Sequence, residues 1–197
     1  MSSSSSAAGA AAIKVRIRPA TDQDMPAIQE IYAHYVLSTS ASFEEEAPTV
    51  AEMTARWQRI QSRGMPYLVA VYKNRVVGYA YGGPYRERSA YRYTIEDSIY
   101  IAPDMLGRGV GNALMNPLIS RSTALGFRQM IAVIGDSGNA ASIALHSRHG
   151  FAVIGALRSS GYKFGSWSDA VLMQRPLGEG DTTLPKRDVA RKSKRSR

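Results

Sequence analysis

The segment from Tyr93 to Leu125 constrains the fold more than any other part of the chain. Tyr93 to Ala102 is rich in Tyr, Ile and Thr and predicts a strand, which Pro103 closes. Gly107 to Gly111 then supplies a glycine-rich turn, and a helical pattern follows through about Leu125. A strand, a glycine turn and a helix in direct succession predict a fold that mixes helices with a sheet.

The glycine-rich turn, G-R-G-V-G, suits an anion. Glycine lets the backbone approach a ligand closely, and the start of the following helix carries a partial positive charge. The backbone amides that would hold a pyrophosphate are those of Gly109, Val110, Gly111 and Asn112. The turn lacks the Gly-Lys-Ser/Thr ending of a nucleotide P-loop. It also lies mid-chain, whereas the dinucleotide fingerprint opens the first βαβ unit. By itself the turn leaves a purely structural role open.

The rest of the chain alternates between strand and helix patterns. Ile13 to Arg18 predicts a strand, and Thr21 is the expected N-cap of a helix that runs to about Leu37. Further predicted elements are a helix over about 50–62, a hairpin of strands 67–72 and 76–81, a strand over 130–134, a short helix over 139–149, and strands over 151–157 and 167–174. Gly82-Gly83-Pro84 is expected to break the second hairpin strand. The order predicts an α/β or α+β fold of three layers, a mixed sheet with helices on its faces.

Cysteine is absent from the 197 residues, which excludes a disulfide framework, a thiolate metal site and a cysteine nucleophile. The formal net charge is +9, but Lys186 to Arg197 carries +6 of it. We expect that basic tail to bind nucleic acid or anionic lipid only non-specifically. We expect a disordered Ser/Ala-rich tail over 1–12, one domain over 13–178 and a disordered basic tail over 179–197. No apolar run approaches the ~20 residues that span a bilayer, and the start lacks a secretory pattern. We therefore expect a cytoplasmic protein without a membrane span.

A second motif, N-A-A-S-I-A-L-H-S-R-H-G-F, occupies Asn139 to Phe151. Together with the glycine turn, in this order and spacing, it resembles the GNAT superfamily of N-acetyltransferases. Two positions depart from that pattern: Leu106 replaces the usual Gln or Arg, and His146 replaces the usual general-acid Tyr. The closer resemblance is to the branch that acetylates phosphinothricin and methionine sulfoximine or sulfone. The segments that carry it are S-F-E at 42–44, Y-R-Y-T-I-E-D-S-I-Y-I at 91–101, A-V-I-G at 132–135 and G-Y-K-F-G-S-W-S-D at 161–169.

The resemblance implies the acyl-CoA N-acyltransferase fold, with a mostly antiparallel sheet flanked by helices, and acetyl-CoA as the donor, with CoA as product. It places the pantetheine along the strand 98–102, the pyrophosphate on the glycine turn and the cofactor arm near the second motif. No metal ion is implied. The cofactor-binding residues expected on this basis are Ile99, Tyr100, Ile101, Gly107, Arg108, Gly109, Val110, Gly111, Asn112, Asn139 and Ser142.

Two residues are the candidates for proton transfer. Glu96 lies mid-strand among apolar neighbours, and partial burial would raise the pKa of its carboxyl toward the useful range for a base, acting directly or through water. His146 is the candidate acid or proton shuttle, because imidazole titrates near neutral pH. The backbone amide of Ile99 or a neighbour is expected to stabilise the oxyanion.

The expected acceptor is a small amino acid, whose carboxylate suits a bidentate arginine. Arg88 is the first choice, whereas Arg86 and Arg92 are interpreted as solvated. Lys163 and Trp167 are expected to approach from the C-terminal hairpin or from a partner subunit, since the resemblance implies a homodimer. The remaining expected substrate-binding residues are Phe43, Glu44, Tyr91, Tyr93 and Thr94.

Three alternatives stay open on the sequence. The acceptor of an acetyltransferase with these motifs could instead be a protein N-terminus, a polyamine or an aminoglycoside. The chain could bind nucleic acid through its basic tail, although that tail has no interleaved aromatic residues. It could also bind CoA as a sensor without turnover, against which the presence of both Glu96 and His146 argues.

Overall fold

The computed structural model describes residues 11–185. Of the predicted tails, 1–12 and 179–197, residues 1–10 and 186–197 lie outside the described residues. The strands are β1 (Arg16–Pro19), β2 (Tyr67–Tyr72), β3 (Arg75–Pro84), β4 (Thr94–Ile101), β5 (Gln129–Gly135), β6 (Ala152–Lys163) and β7 (Ser166–Pro176). The helices are α1 (Met25–Ser38), α2 (Val50–Ser62), α3 (Val110–Ala124) and α4 (Ala140–Arg148). The predicted order of elements is confirmed.

The seven strands form one sheet in the order β1-β2-β3-β4-β5-β7-β6. Only β4 and β5 pair in parallel, and every other neighbouring pair is antiparallel. The predicted mixed, mostly antiparallel sheet is therefore confirmed. The parallel pairing covers only Thr94–Asp97 of β4, against Gln129–Ala132 of β5. Beyond Asp97 the two strands separate, and a cleft opens between them.

Helices cover both faces of the sheet. Tyr32 and Tyr35 of α1 pack edge-on against Tyr100 of β4, with ring centroids 5.0 and 5.2 Å apart. On the opposite face, His146 of α4 contacts Asp97 of β4, and α3 packs on β1 to β4. Because side chains alternate along a strand, Glu96 and Tyr100 face α1 while Asp97 faces α4. The three-layer arrangement is confirmed.

The expected break at Gly82-Gly83-Pro84 is wrong. β3 continues through all three residues, which pair with Asp97, Glu96 and Ile95 of β4. A Cβ on Gly82 would lie 2.4 Å from Ile95 Cδ1, so glycine serves close packing there and not chain reversal. The predicted hairpin of β2 and β3 is confirmed, and its reversal lies at Lys73 and Asn74, both with positive φ, as in a two-residue hairpin turn.

Residues next to the predicted domain boundaries make backbone contacts with the fold. The Ile13 amide donates to the Arg108 carbonyl at 3.1 Å. Beyond 178, the Arg128 guanidinium donates to the carbonyls of Gly180 and Thr183, at 2.7 and 2.8 Å. Among the described helices, none has the length and apolar character needed to cross a membrane.

Candidate active site

A cleft of about 770 Å³ lies where β4 and β5 separate. The free half of β4, the glycine turn, the start of α3, α4 and the loop between α1 and α2 all contribute to its walls. The predicted cofactor residues that line it are Ile99, Tyr100, Ile101, Gly107, Gly109, Val110, Gly111, Asn112, Asn139 and Ser142. Arg108 is the one predicted cofactor residue that does not line the cleft.

The glycine turn brings an uncapped helix start to the cleft. Gly107 and Gly109 have φ of 73° and 80°, which is left-handed backbone that glycine adopts without strain. Gly109 is the N-cap of α3, and no side chain caps the helix there. The first amides of α3 therefore point into the cleft without a side-chain acceptor, as binding of a phosphate requires. Gly111 has a different role, because a Cβ there would lie 3.1 Å from Leu145 Cδ2 on α4.

Glu96 lies at the other end of the cleft, directly before Asp97, which is the last residue of β4 that pairs with β5. Its side chain is partly buried on the α1 face. Burial raises the pKa of the Glu96 carboxyl above its usual value, and the negative charge of Asp97 adds to the rise, while Arg86 opposes it. A carboxylate with a raised pKa at a cleft wall is suited to accept a proton near neutral pH.

Asp97 and His146 form a buried pair across the cleft from α1. His146 Nε2 lies 3.0 Å from Asp97 Oδ2, and His146 Nδ1 lies 2.8 Å from the Ser142 carbonyl. The carbonyl accepts only, so Nδ1 carries a proton, and a second proton lies between Nε2 and the carboxylate. Burial by itself lowers the pKa of His146, but the hydrogen bond and charge of Asp97 outweigh it and raise that pKa.

Asp97 is a residue that the sequence analysis missed. Its position directly after Glu96 on a strand places the two carboxylates on opposite faces of the sheet. That alternation, together with a histidine on a later helix, could have predicted that Asp97 faces His146. Asp97 Oδ1 is buried without a hydrogen-bond partner among the described residues. Both Asp97 and His146 line the cleft.

The loop between α1 and α2 is held over the cleft by a polar network. Arg56 binds Glu44 through both guanidinium nitrogens, at 2.6 and 3.1 Å. The Tyr32 hydroxyl donates to Glu44 Oε1 at 2.9 Å. Lys163 was expected near the substrate, but its ammonium instead donates to the carbonyls of Thr39 and Ser42, at 3.0 and 2.7 Å. These contacts fix Phe43 and Glu44, two of the predicted substrate residues, at the cleft wall.

The other predicted substrate residues do not line the cleft. Arg88 is exposed and precedes the short 3-10 turn of 89–91, and Tyr91 packs edge-on against Tyr85. Tyr93 lies under the Arg92 guanidinium at 4.8 Å, and Thr94 begins β4. Arg86, interpreted as solvated, is the arginine whose charge reaches Glu96. The segment between β3 and β4 has no periodic pattern, so sequence could not decide between the two arginines.

Comparisons with known proteins agree with this geometry. Residues 17–172 match the family described as Acetyltransferase (GNAT) domain. A phosphinothricin N-acetyltransferase of Alcaligenes faecalis is 54% identical over 169 residues, which are 86% of each chain. The L-methionine sulfoximine/L-methionine sulfone acetyltransferase of Salmonella typhimurium is 39% identical over 163 residues, covering 83% of this chain and 95% of that one.

A solved structure supports the same family assignment. The crystal structure of a GNAT superfamily phosphinothricin acetyltransferase from Sinorhizobium meliloti, in complex with AcCoA, superposes with a TM-score of 0.86 at 46% identity. It covers 88% of this chain and 94% of that chain. Fold and cleft thus define an N-acetyltransferase that uses acetyl-CoA. The chain belongs to the GNAT acetyltransferase family.

Proposed function

We propose that this enzyme acetylates the α-amino group of a small amino acid such as phosphinothricin, methionine sulfoximine or methionine sulfone. The observation that carries the proposal is Glu96, a partly buried carboxyl at the cleft wall whose pKa is raised by burial, with the exposed Arg86 near enough for its charge to oppose that rise. The carboxyl is suited to take a proton from the acceptor's ammonium, and the arginine is suited to attract its carboxylate. The names of the relatives refer to the same acceptors.

The described residues fit acetyl-CoA. The uncapped start of α3 is suited to the pyrophosphate, whose oxygens would accept from the amides of Val110, Gly111 and Asn112. Beyond Asp97, β4 has lost its parallel partner, so its backbone groups face the cleft and are suited to the amides of an extended pantetheine arm. Acetyl-CoA supplies the activated acetyl group as a thioester.

Glu96 and the Asp97–His146 pair are proposed to act on two different protons. Glu96 Oε accepts the proton that the acceptor nitrogen must lose before it becomes nucleophilic. His146 holds a proton at Nε2, against Asp97 Oδ2, on the other face of β4. When the nitrogen attacks the thioester carbonyl carbon, the bond from that carbon to the CoA sulfur would break, and the departing sulfur would take a proton, for which His146 is the candidate donor. Direct transfer in a ternary complex suits a chain without cysteine.

A homodimer belongs to the same proposal. Several apolar side chains of the hairpin formed by β6 and β7 are exposed, Phe164 by 60% and Trp167 by 67%. Large exposed groups of apolar side chains usually mark a surface that binds another molecule. Exposed members of the cluster are Val153, Ile154, Leu157, Tyr162, Phe164 and Trp167.

The acceptor is tested by free-thiol release from acetyl-CoA against a panel of amines. The panel contains phosphinothricin, methionine sulfoximine, methionine sulfone, ordinary amino acids, spermidine, an aminoglycoside and a peptide. We expect turnover with the first three and none with the cationic amines or the peptide, because Arg86 favours a carboxylate beside Glu96. Turnover only with spermidine, the aminoglycoside or the peptide would contradict the proposed acceptor and leave the family assignment intact.

Replacing Gly109 with valine is expected to weaken acetyl-CoA binding about tenfold or more, the effect of losing one charge-assisted hydrogen bond. A β-branched side chain resists the φ of 80° at this position, so the turn that positions the first amides of α3 should shift. Isothermal titration with acetyl-CoA measures the dissociation constant.

The matched control is Gly126→Val. Gly126 follows α3 at its other end with φ of 90°, and a Cβ there meets no atom within 4 Å. The control carries the same kind of backbone strain far from the cleft, so acetyl-CoA binding should stay at the wild-type level. If both variants bind acetyl-CoA with the wild-type affinity, the proposed binding of the pyrophosphate at the glycine turn is wrong.

A further inference from the structure

One buried lysine of β6 binds the backbone of the loop between α1 and α2. Lys163 is only 3% exposed, and its ammonium donates to the carbonyls of Thr39 and Ser42. The centroid of the Phe164 ring lies 4.9 Å from the same nitrogen. None of the ion pairs formed within residues 11–185 includes this ammonium. Because burying a charge without an oppositely charged partner costs free energy, the ammonium depends on the two carbonyls and the ring.

The two carbonyls lie on the segment that leads from α1 to the cleft. Thr39 is the C-cap of α1, and the last carbonyls of a helix carry a partial negative charge that an ammonium stabilises. Ser42 belongs to the segment 41–44, which lines the cleft. We call residues 39–44 the acceptor loop. Lys163 thus joins the end of the helix to the part of this loop that lines the cleft.

Two glycines let the acceptor loop pack closely on the sheet. A Cβ on Gly135, at the end of β5, would collide with the Ser40 carbonyl. A Cβ on Gly161 of β6 would lie 2.8 Å from Cε2 of the Phe43 ring. Gly161 and Lys163 are two residues apart on β6, so they share the face that contacts the loop. The position of the Phe43 ring therefore depends on β6 both through close packing and through the lysine.

The acceptor loop lies at the Glu96 end of the cleft. Burial raises the pKa of the Tyr81 hydroxyl, and the negative charges of Glu96 and Glu44 both add to the rise, so both carboxylates lie near this phenol. Arg56 binds both oxygens of Glu44, whereas Phe43 lines the cleft and remains 39% exposed. The Phe43 ring is therefore the apolar surface that the loop offers to an acceptor whose amino group lies at Glu96.

We propose that Lys163 is a positioning residue for the acceptor, because its ammonium holds the acceptor loop where Phe43 forms a wall of the cleft beside Glu96. This inference rests on the proposed function. Lys163 acts through the loop and does not itself contact the acceptor. An acceptor that binds only when the loop is in place loses apparent affinity as the fraction of molecules with the loop in place falls. Lys163 thus affects the KM of the acceptor, and neither acetyl-CoA binding nor proton transfer at Glu96.

The test replaces Lys163 with methionine, which keeps an unbranched apolar side chain and removes the donor. Lys163→Met should raise the KM for phosphinothricin about tenfold, the effect of one lost charge-assisted hydrogen bond. At saturating phosphinothricin kcat should stay at the wild-type level, because Glu96 lies on β4 and not on the loop. Isothermal titration should give an unchanged dissociation constant for acetyl-CoA, which also shows that the variant is folded.

Three further variants complete the test. Gly161→Ala displaces the Phe43 ring by a second route and should also raise the KM for phosphinothricin without changing acetyl-CoA binding. Its control is Gly155→Ala on the same strand, where a Cβ meets no atom within 4 Å, so neither constant should change. The control for the lysine is Lys14→Met, which removes an exposed ammonium next to β1, at the opposite edge of the sheet from β6, and should leave both constants unchanged.

The outcomes separate the role of Lys163 from the proposed function. If Lys163→Met leaves the KM unchanged, or lowers kcat alone, the positioning role is wrong. If it weakens acetyl-CoA binding by the same factor as it raises the KM, the lysine supports the whole fold and not the acceptor loop. If Lys163→Met does not fold, an unchanged KM in Gly161→Ala contradicts the inference in its place. If the wild-type enzyme acetylates none of phosphinothricin, methionine sulfoximine and methionine sulfone, the proposed function itself fails, and the inference fails with it.

Discussion

Replacing Glu96 with glutamine is expected to lower kcat by about 10²- to 10⁴-fold, the usual contribution of a general base. The amide has nearly the same size and still fits the partly buried position on β4, but it cannot accept the acceptor's proton. Acetyl-CoA binding should be unchanged, because the anion-binding amides lie at the other end of the cleft. Steady-state kinetics with phosphinothricin, together with titration of acetyl-CoA, measures both quantities.

The pH dependence gives a second readout for Glu96. The base works only when deprotonated, so the wild-type kcat/KM should rise with pH through the raised pKa of this carboxyl. That rise should be absent in Glu96→Gln. Glu46→Gln, which removes an exposed carboxylate from the loop between α1 and α2, should retain both the rate and the profile. Unchanged turnover in Glu96→Gln would exclude this residue from the mechanism.

Replacing Asp97 with alanine is expected to lower the free energy of unfolding by about 3–5 kcal/mol, the usual effect of leaving a buried charge without its partner. Both members of the pair are almost inaccessible to solvent, at 6% and 2% exposed for Asp97 and His146. Denaturant unfolding at pH 6 measures the loss. Asp104→Ala breaks an exposed ion pair with Arg75 and should change stability by about 0.5 kcal/mol or less.

The sign of the pH dependence distinguishes loss of the pair from a simple cavity. Asp97 raises the pKa of His146, so the folded wild type binds more protons than the unfolded chain near and above the ordinary histidine pKa. This contribution to wild-type stability is complete below the unfolded pKa and disappears as pH rises through the folded one. In Asp97→Asn, burial, the largest influence on His146, is opposed only by the smaller effect of the hydrogen bond to the Ser142 carbonyl, so the pKa of His146 should fall and stability should rise with pH instead. If the free energy of unfolding depends on pH in the same way in both proteins, Asp97 does not raise the pKa of His146.

Much of the cleft could be predicted because it is built from local patterns. The glycine turn, the helix after it and the short helix that follows β5 are set by residues close in sequence. Asn139 accepts from the Ser142 amide at 3.2 Å, as a capping asparagine does. Glu96 could be assigned because it interrupts an apolar strand. The strand order then brings these local units to one place.

The parts that sequence missed depend on register and on contacts between distant elements. The pairing of Asp97 with His146 joins residues 49 positions apart. The continuation of β3 through Gly83 depends on the cross-strand register that sets Gly83 opposite Glu96. Glycine at 82 and 83 was interpreted as a break because a pattern cannot distinguish a turn from a close approach of packed side chains.

The separation of β4 from β5 leaves a sheet edge inside the molecule. Exposed strand edges invite pairing with other chains and hence aggregation, and proteins usually cover or charge them. Here the free half of β4 is enclosed by α4, β5 and the loop that Lys163 ties down. The elements that cover this edge therefore serve two purposes, because they shield it from strands of other chains and form the walls of the cleft.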